Sequence, residues 1–167
     1  RHIPGRDAKP LLEALTLIPN VELTLFGEGP LLEATIRYAK SRGVNDRVRF
    51  VPSIENWRLC ASLPEFDVLL VNSAYREMPK SVMEAALSGL PVVANLFPAA
   101  DSPEYASIPA ILVEGSPRSY AIALEQLAKN ARSRNELAIR TLDAAWMQWD
   151  PATVARLSAD LLIGLAR

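Results

Sequence analysis

Two carboxylates and a run of backbone amides stand close together in the stretch Tyr75-Arg76-Glu77-Met78-Pro79-Lys80-Ser81-Val82-Met83-Glu84-Ala85-Ala86. Proline disfavours helical geometry in the residue before it, so a helix is predicted to begin at about Pro79. The amides of Lys80, Ser81 and Val82 then fall in its first turn, where they have no intrahelical acceptor. Free amides and the positive end of the helix dipole suit a phosphate or another anion. Glu84 falls inside that turn or just after it, where a carboxylate can accept from a ribose diol. Glu77, in the loop, can reach a sugar hydroxyl. Taken as an isolated pair, the two have a plainer reading: Glu84 complements the dipole and Glu77 is a solvated loop charge. The surrounding pattern is what weighs against that reading.

The elements that must position this stretch follow from apolar periodicity. Leu11, Leu12, Leu15 and Ile18 keep helical spacing, and Val21 to Phe26 is a short apolar run with β propensity. Leu32, Ile36 and Ala39 are helical again, with Gly43 as the stop. Val48 to Val51 reads as a strand, residues 54–63 as a short helix, and Asp67 to Asn72 as a strand apolar on both faces. Pro79 to Ser88 reads as a helix, then Pro91 to Ala94 and Ala110 to Val113 as strands. Such strands, separated by helices, predict a Rossmann-like α/β fold: a parallel sheet covered by helices on both faces, with right-handed crossovers. Ligands of open α/β sheets bind beyond the carboxyl ends of the strands, where the loop after Val71-Asn72 falls.

From about Pro117 the chain becomes all-helical. Tyr120, Leu124, Leu127 and Ala131 fit one face, and Leu142, Trp146 and Trp149 fit another. Asp150-Pro151 caps a last helix marked by Val154, Leu157, Leu161 and Leu165. The first helix begins near Asp7 with no strand ahead of it. The central strand of a Rossmann-type sheet is therefore expected upstream of Arg1.

Composition narrows the classes. The 167 residues amount to one domain, residues 1–167, and half are apolar, enough for a sizeable core. Eighteen Lys and Arg against nineteen Asp and Glu argue against a general nucleic-acid binder. Cys60 is the only cysteine, so no internal disulfide forms and a reducing compartment is the simpler setting. No apolar run approaches the roughly 20 residues of a membrane span. There is no Asp-x-Asp pair, no ligand-spaced His/Cys/Asp cluster and no P-loop, so neither a metal site nor a P-loop NTPase is indicated.

The pattern resembles the retaining GT-B glycosyltransferases, in particular glycosyltransferase family 4, over nearly the whole chain. The matching residues are Ser73, Glu77, Pro79, Met83-Glu84-Ala85 and Gly89-Leu90-Pro91-Val92-Val93. Leu25-Phe26-Gly27-Glu28-Gly29-Pro30 looks like the family's glycine turn, with Gly27 and Gly29. Val48 to Pro52 looks like the strand after it, whose end, Val51 and Pro52, faces the nucleobase. The family has a Gly-Arg after its first strand and a Lys five residues beyond that Arg, both clamping the donor diphosphate. Arg1 and Arg6 stand at that spacing, with Arg6 replacing the Lys and exchanging a point charge for a planar fork. A plainer reading makes both solvated arginines of a frayed terminus. The family also has seven residues between its two Glu, where six separate Glu77 from Glu84. Either a Gly after Glu77 has been lost, the reading favoured here, or Arg76 stands at the first Glu position.

The resemblance implies the C-terminal, donor-binding domain of an enzyme that moves a sugar from a nucleotide diphosphate sugar, a UDP- or GDP-sugar, to an acceptor hydroxyl with retention. Glu84 is expected on the ribose and Glu77 on the donor sugar. Ser81, Val82, Arg1 and Arg6 are expected on the diphosphate, replacing Mg²⁺. The catalytic His belongs to an N-terminal acceptor domain that these residues lack, so the fragment alone is expected to be inactive, and His2 is not assigned that role. The acceptor, a glycan, lipid or small molecule, is expected to bind mainly through that other domain. The setting expected is cytoplasmic, with room for peripheral association of the whole enzyme at the membrane face. Cys60 and the tryptophans 57, 146 and 149 read as packing or domain-contact residues. Arg132, Arg134 and Arg140 read as a solvated helical face. Two rivals stand beside this: a nucleotide-sugar epimerase of the same architecture, and a non-catalytic nucleotide- or partner-binding module.

Overall fold

The computed structural model describes residues 2–75, 77–96, 105 and 107–165. Asp7 opens the first helix, its Oδ1 accepting from the Lys9 amide at 2.9 Å. That helix, α1 (Lys9–Leu17), buries Leu11, Leu12, Ala14 and Leu15. Then come β1 (Leu23–Phe26), α2 (Leu32–Ser41), β2 (Val48–Val51), α3 (Asn56–Ser62), β3 (Leu69–Val71), α4 (Lys80–Leu87), β4 (Val92–Asn95) and β5 (Ile111–Val113). Three helices follow: α5 (Pro117–Lys129), α6 (Ala131–Trp149) and α7 (Pro151–Leu165). Gly43 stops α2 as expected, at φ +68°, with the Gly43 and Val44 amides returning to the Lys40 and Ala39 carbonyls.

Every described strand pair is parallel. β1 lies on β2 from Leu23↔Val48 to Phe26↔Val51, and β4 lies between β3 and β5, with Leu69↔Val92 and Val93↔Ile111 in register. Among the described residues no ladder joins β1–β2 to β3–β4–β5. One apolar cluster nevertheless spans both sheets: Leu23 of β1, Val93 of β4 and Val113 of β5 share it with Leu12 and Leu15 of α1 and Tyr120 and Leu124 of α5. Val92 and Ala94, the alternate residues of β4, enter a second cluster with Val71 and with Val82 and Ala85 of α4. Successive strand side chains point to opposite faces. The sheet is thus covered on both sides, and the Rossmann-like α/β fold read from the sequence is the one observed.

Two details correct the sequence reading, and a third adds to it. Ala131 does not continue the face of Tyr120 and Leu127, because the helix breaks at Asn130, whose side chain accepts from the Ser133 amide and starts α6. Arg134 is not simply solvated: it donates to the Leu127 carbonyl at 2.9 Å and pairs with Asp67 at 3.3 Å. The last helix does form, with Asp150 Oδ2 accepting from the Thr153 amide. Its apolar residues are exposed, however: Leu157 and Leu161 are 57% and 65% accessible.

Arg47 closes the turn between α1 and β1. Its Nη1 donates to the Ile18, Pro19 and Val21 carbonyls and its Nη2 to Leu15, the shortest at 2.6 Å. These carbonyls lie in the last turn of α1 and in the segment leading from it to β1, where intrahelical donors run out; that of Leu15 also accepts from the Ile18 amide at 3.3 Å. Arg47→Met is expected to lower stability by about 2–4 kcal/mol, read from urea unfolding, because several carbonyls lose one charged donor together. A change within about 0.5 kcal/mol would show that water replaces the guanidinium without cost.

Candidate functional site

The carboxyl ends of β1 and β3 converge on the N-terminal segment. The His2 amide donates to the Glu28 carbonyl at 3.1 Å and the His2 carbonyl accepts from Leu31 at 3.0 Å, tying the segment to the turn after β1. Further along, the Gly5 carbonyl accepts from the Ala74 amide and the Pro4 carbonyl from the Tyr75 hydroxyl, tying it to the loop after β3. The Asp7 carbonyl accepts from Asn72 Nδ2 at 2.8 Å. Residues 2–7 therefore lie between the two strand ends and are bonded to both. They are not frayed.

The glycine turn is built by this approach. Gly27 and Gly29 adopt φ +110° and +153°. A Cβ on Gly29 would sit 2.2 Å from the His2 carbonyl oxygen. With Glu28, Leu32, Phe50, Val51 and Pro52, Gly27 lines a small, mainly apolar cleft of about 140 Å³. The structure thus brings together the glycine turn and the Val51-Pro52 strand end that the sequence marked separately.

His2 lies behind this cleft, 5% exposed, its ring 6.5 Å from that of Phe50. Its Nε2 is buried and has no hydrogen-bond partner. Burial holds the imidazole below the ordinary value of 6.5. The unfolded chain therefore takes up the proton more readily than the folded one. Above 6.5 the ring is neutral in both states and contributes nothing. As pH falls through 6.5 toward the depressed folded value, stability is lost. Urea unfolding at about pH 7 and about pH 5 is expected to show this loss, and His2→Phe is expected to shrink it. Equal slopes in the two proteins would place the acid sensitivity elsewhere.

The loop after β3 is held from three sides. The Ser73 amide donates to Asn95 Oδ1 at 2.8 Å and Asn95 Nδ2 donates to the Ser73 carbonyl at 2.9 Å, clamping the ends of β3 and β4 together. Tyr120, fully buried on α5, donates to the Val71 carbonyl at 2.6 Å, and burial pushes its hydroxyl up, so it stays a donor. The Arg6 guanidinium lies over the Tyr75 ring at 5.6 Å, and its Nε is buried without a partner. Sequence reasoning passed over Asn72 and Asn95 as positioning residues and took Tyr120 for core. The available signal was an Asn closing each of two neighbouring apolar strands.

Helix α4 begins at Lys80, with Pro79 as its extended N-cap at ψ 142°. The start is one residue later than expected, and it has a consequence for the amides. Val82 donates to the Pro79 carbonyl at 2.9 Å, because the cap residue's carbonyl points into the turn. The expectation that the Val82 amide is free is corrected on that point. Among the described residues nothing accepts from the amides of Lys80 and Ser81.

Glu84 falls one residue past the first turn. Its side chain is 12% exposed and lies 3.2 Å from Lys80 Nζ. The same oxygen, Oε1, is buried without a hydrogen bond. The two facts agree: the ammonium is close enough for charge attraction but lacks hydrogen-bond angles. Glu77 is exposed. Arg1 and Arg76 lie outside the described residues, so the paired-arginine clamp and the alternative alignment through Arg76 do too. Among the described residues no His/Cys/Asp/Glu group is placed to hold a metal ion, and no helix is long and apolar enough to cross a membrane. Cys60 is half-buried, its Sγ receiving Asn56 Nδ2 at 3.3 Å. Trp57 and Trp146 are 64% and 51% exposed, whereas Trp149 packs against the second cluster.

A family model for the glycosyl transferases group 1 matches residues 6–130. The lipopolysaccharide core biosynthesis glycosyltransferase LpsE of Rhizobium meliloti (strain 1021) is 26% identical over 144 residues, which is 84% of this chain and 41% of LpsE. Anabaena Alr3699/HepE, solved in complex with UDP, superposes with a TM-score of 0.85 at 20% identity over 98% of this chain and 47% of that one. Sucrose-phosphate synthase of Thermosynechococcus elongatus gives a TM-score of 0.85 at 21% identity, over 99% of this chain and 43% of that one. The chain thus spans less than half the length of these proteins, and the structural likeness shows a shared fold. The family match takes in all five described strands, the glycine turn and the start of α4, and on that basis the chain belongs to the glycosyl transferases group 1.

Proposed function

We propose that this chain is the donor-binding half of a GT-B glycosyltransferase, holding a nucleotide diphosphate sugar while a second domain supplies the acceptor and the catalytic base. The observation that carries the reading is Glu84 Oε1, a buried carboxylate oxygen without a hydrogen bond, on the helix whose first amides, Lys80 and Ser81, are also without acceptors. A buried acceptor left empty is costly unless a ligand's hydroxyl fills it. Free N-terminal amides select an anion. A ribose diol and a diphosphate supply both groups in one molecule.

In this reading the nucleobase enters the cleft at Gly27, Val51 and Pro52, and Glu84 accepts from the ribose. The Ser81 amide and Arg6, joined by Arg1, take the diphosphate, and Glu77 takes the donor sugar. The amide of Val82 contributes only if it is shared with Pro79. Negative charge grows on the diphosphate as the glycosidic bond breaks, so donors fixed beforehand stabilise the transition state more than the ground state. Transfer with retention, independence from metal, and a cytoplasmic setting with the whole enzyme at the membrane face belong to the same proposal. So does a strand leading into His2: residues 2–7 are bonded to the ends of both β1 and β3, and a strand continuing backward from them would run between the two sheets.

UDP is the first probe, because HepE was solved with it. Thermal denaturation with UDP, GDP and their sugars tests the reading, since a ligand that binds the folded state raises the melting temperature. A rise with one nucleotide family is expected. No rise with any of them would favour a module that binds a partner instead. Sugar transfer by these residues alone, well above background, would refute the need for a second domain.

A further inference from the structure

We infer that Lys80 is a positioning residue that fixes the Glu84 carboxylate for the ribose and couples it to the loop after β2; this rests on the donor-site reading above. Lys80 is the first residue of α4, where the helix dipole opposes a cation. Something else must account for its place there. Its Nζ lies 3.2 Å from Glu84 Oε1 on one side and donates to Asn56 Oδ1 at 3.1 Å on the other. Asn56 opens α3, in the segment that leaves Pro52 at the edge of the cleft. One ammonium therefore joins the ribose carboxylate to the segment leading away from the base cleft.

The geometry of the contact matters more than its strength. A pair whose cation is 73% exposed is largely screened and adds little stability. Yet the ammonium approaches Oε1 without hydrogen-bond angles, so it attracts the carboxylate into one orientation while leaving the lone pair unfilled. A hydroxyl donor can then add without first displacing a hydrogen bond. Removing the ammonium frees the Glu84 side chain to turn, and a diol held by two parallel bonds is the ligand most sensitive to that turn. Lys80 thus acts through Glu84, not on the phosphate.

The test is calorimetry with UDP and GDP, each beside its 2′-deoxy analogue, on the unaltered protein, Lys80→Met, Glu84→Gln and the double variant. Lys80→Met is expected to weaken ribonucleotide binding by about fivefold or more, to leave the deoxy analogue nearly unchanged, and to add little once Glu84 is Gln. Lys80→Gln, which keeps the polar head without the charge, is expected to lose the same ribose preference. An equal loss for both sugars, an equal loss in both Glu84 backgrounds, or no loss would overturn the inference and, in the first two cases, place Lys80 on the phosphate. If the unaltered protein binds neither diphosphate, the donor-site reading itself fails, a result distinct from all of these.

Discussion

Glu84→Ala is expected to weaken binding of the preferred nucleoside diphosphate by about ten- to a hundredfold while leaving the fold intact. The magnitude follows from the group lost. A hydrogen bond to a charged acceptor contributes about 1.5–3 kcal/mol, and each 1.4 kcal/mol is tenfold in affinity. The fold should survive because Glu84 supports little of it. Among the described residues its carboxylate pairs with Lys80, whose side chain is 73% exposed and returns to water when the carboxylate is gone. The methyl group left behind resembles Ala85 and Ala86, which are fully buried beside it. Calorimetry gives the affinity and a melting curve the fold. Unchanged affinity would end the ribose assignment, and with it the observation on which the donor-site reading stands.

Gly29→Ala should do the opposite, damaging the fold first and the site as a consequence. At φ +153° the backbone is one that side chains rarely adopt, and the new Cβ would lie 2.2 Å from the His2 carbonyl oxygen and 2.8 Å from its carbon. Both obstacles are backbone, so neither can swing aside. His2 is itself held on either side by the Glu28 and Leu31 bonds. A loss of at least about 3 kcal/mol is expected, which in a domain of this size lowers the melting temperature by roughly 6–12 °C. A variant that melts within about 2 °C of the parent would mean that the N-terminal segment detaches freely, and its nucleotide affinity would report what that segment contributes. Gly43→Ala is the comparison, because nothing lies within 4 Å of a Cβ there. It carries the cost of a positive φ without the collision.

What the sequence made legible follows from how local each signal is. Val92-Val93-Ala94 reads as a strand buried on both faces because its three residues need no outside information to do so. The start of α4 was placed within one residue, since proline constrains its own neighbours. The failures are non-local. Asn95 matters because it meets Ser73 from the next strand, and Tyr120 because its hydroxyl reaches the Val71 carbonyl from across the sheet. No period or motif encodes such meetings. Val82 illustrates a finer limit, since a single turn of backbone decides whether its amide faces a ligand or its own cap. His2 shows how a position in the sequence misleads: although it stands beside Arg1 it is 5% exposed, because residues 2–7 are bonded to the segments that follow both β1 and β3.

The separation of the two ladders bears on how the molecule behaves in concentrated solution. β1 and β3 each pair with one strand, so the far side of each presents backbone donors and acceptors that the described residues do not engage. Such an edge is a template for any extended segment, and other copies of the chain are the most abundant source of one. Both edges are short, four and three residues, which limits the risk without removing it. An extended segment lying between them would satisfy both edges at once and join the two ladders into one sheet.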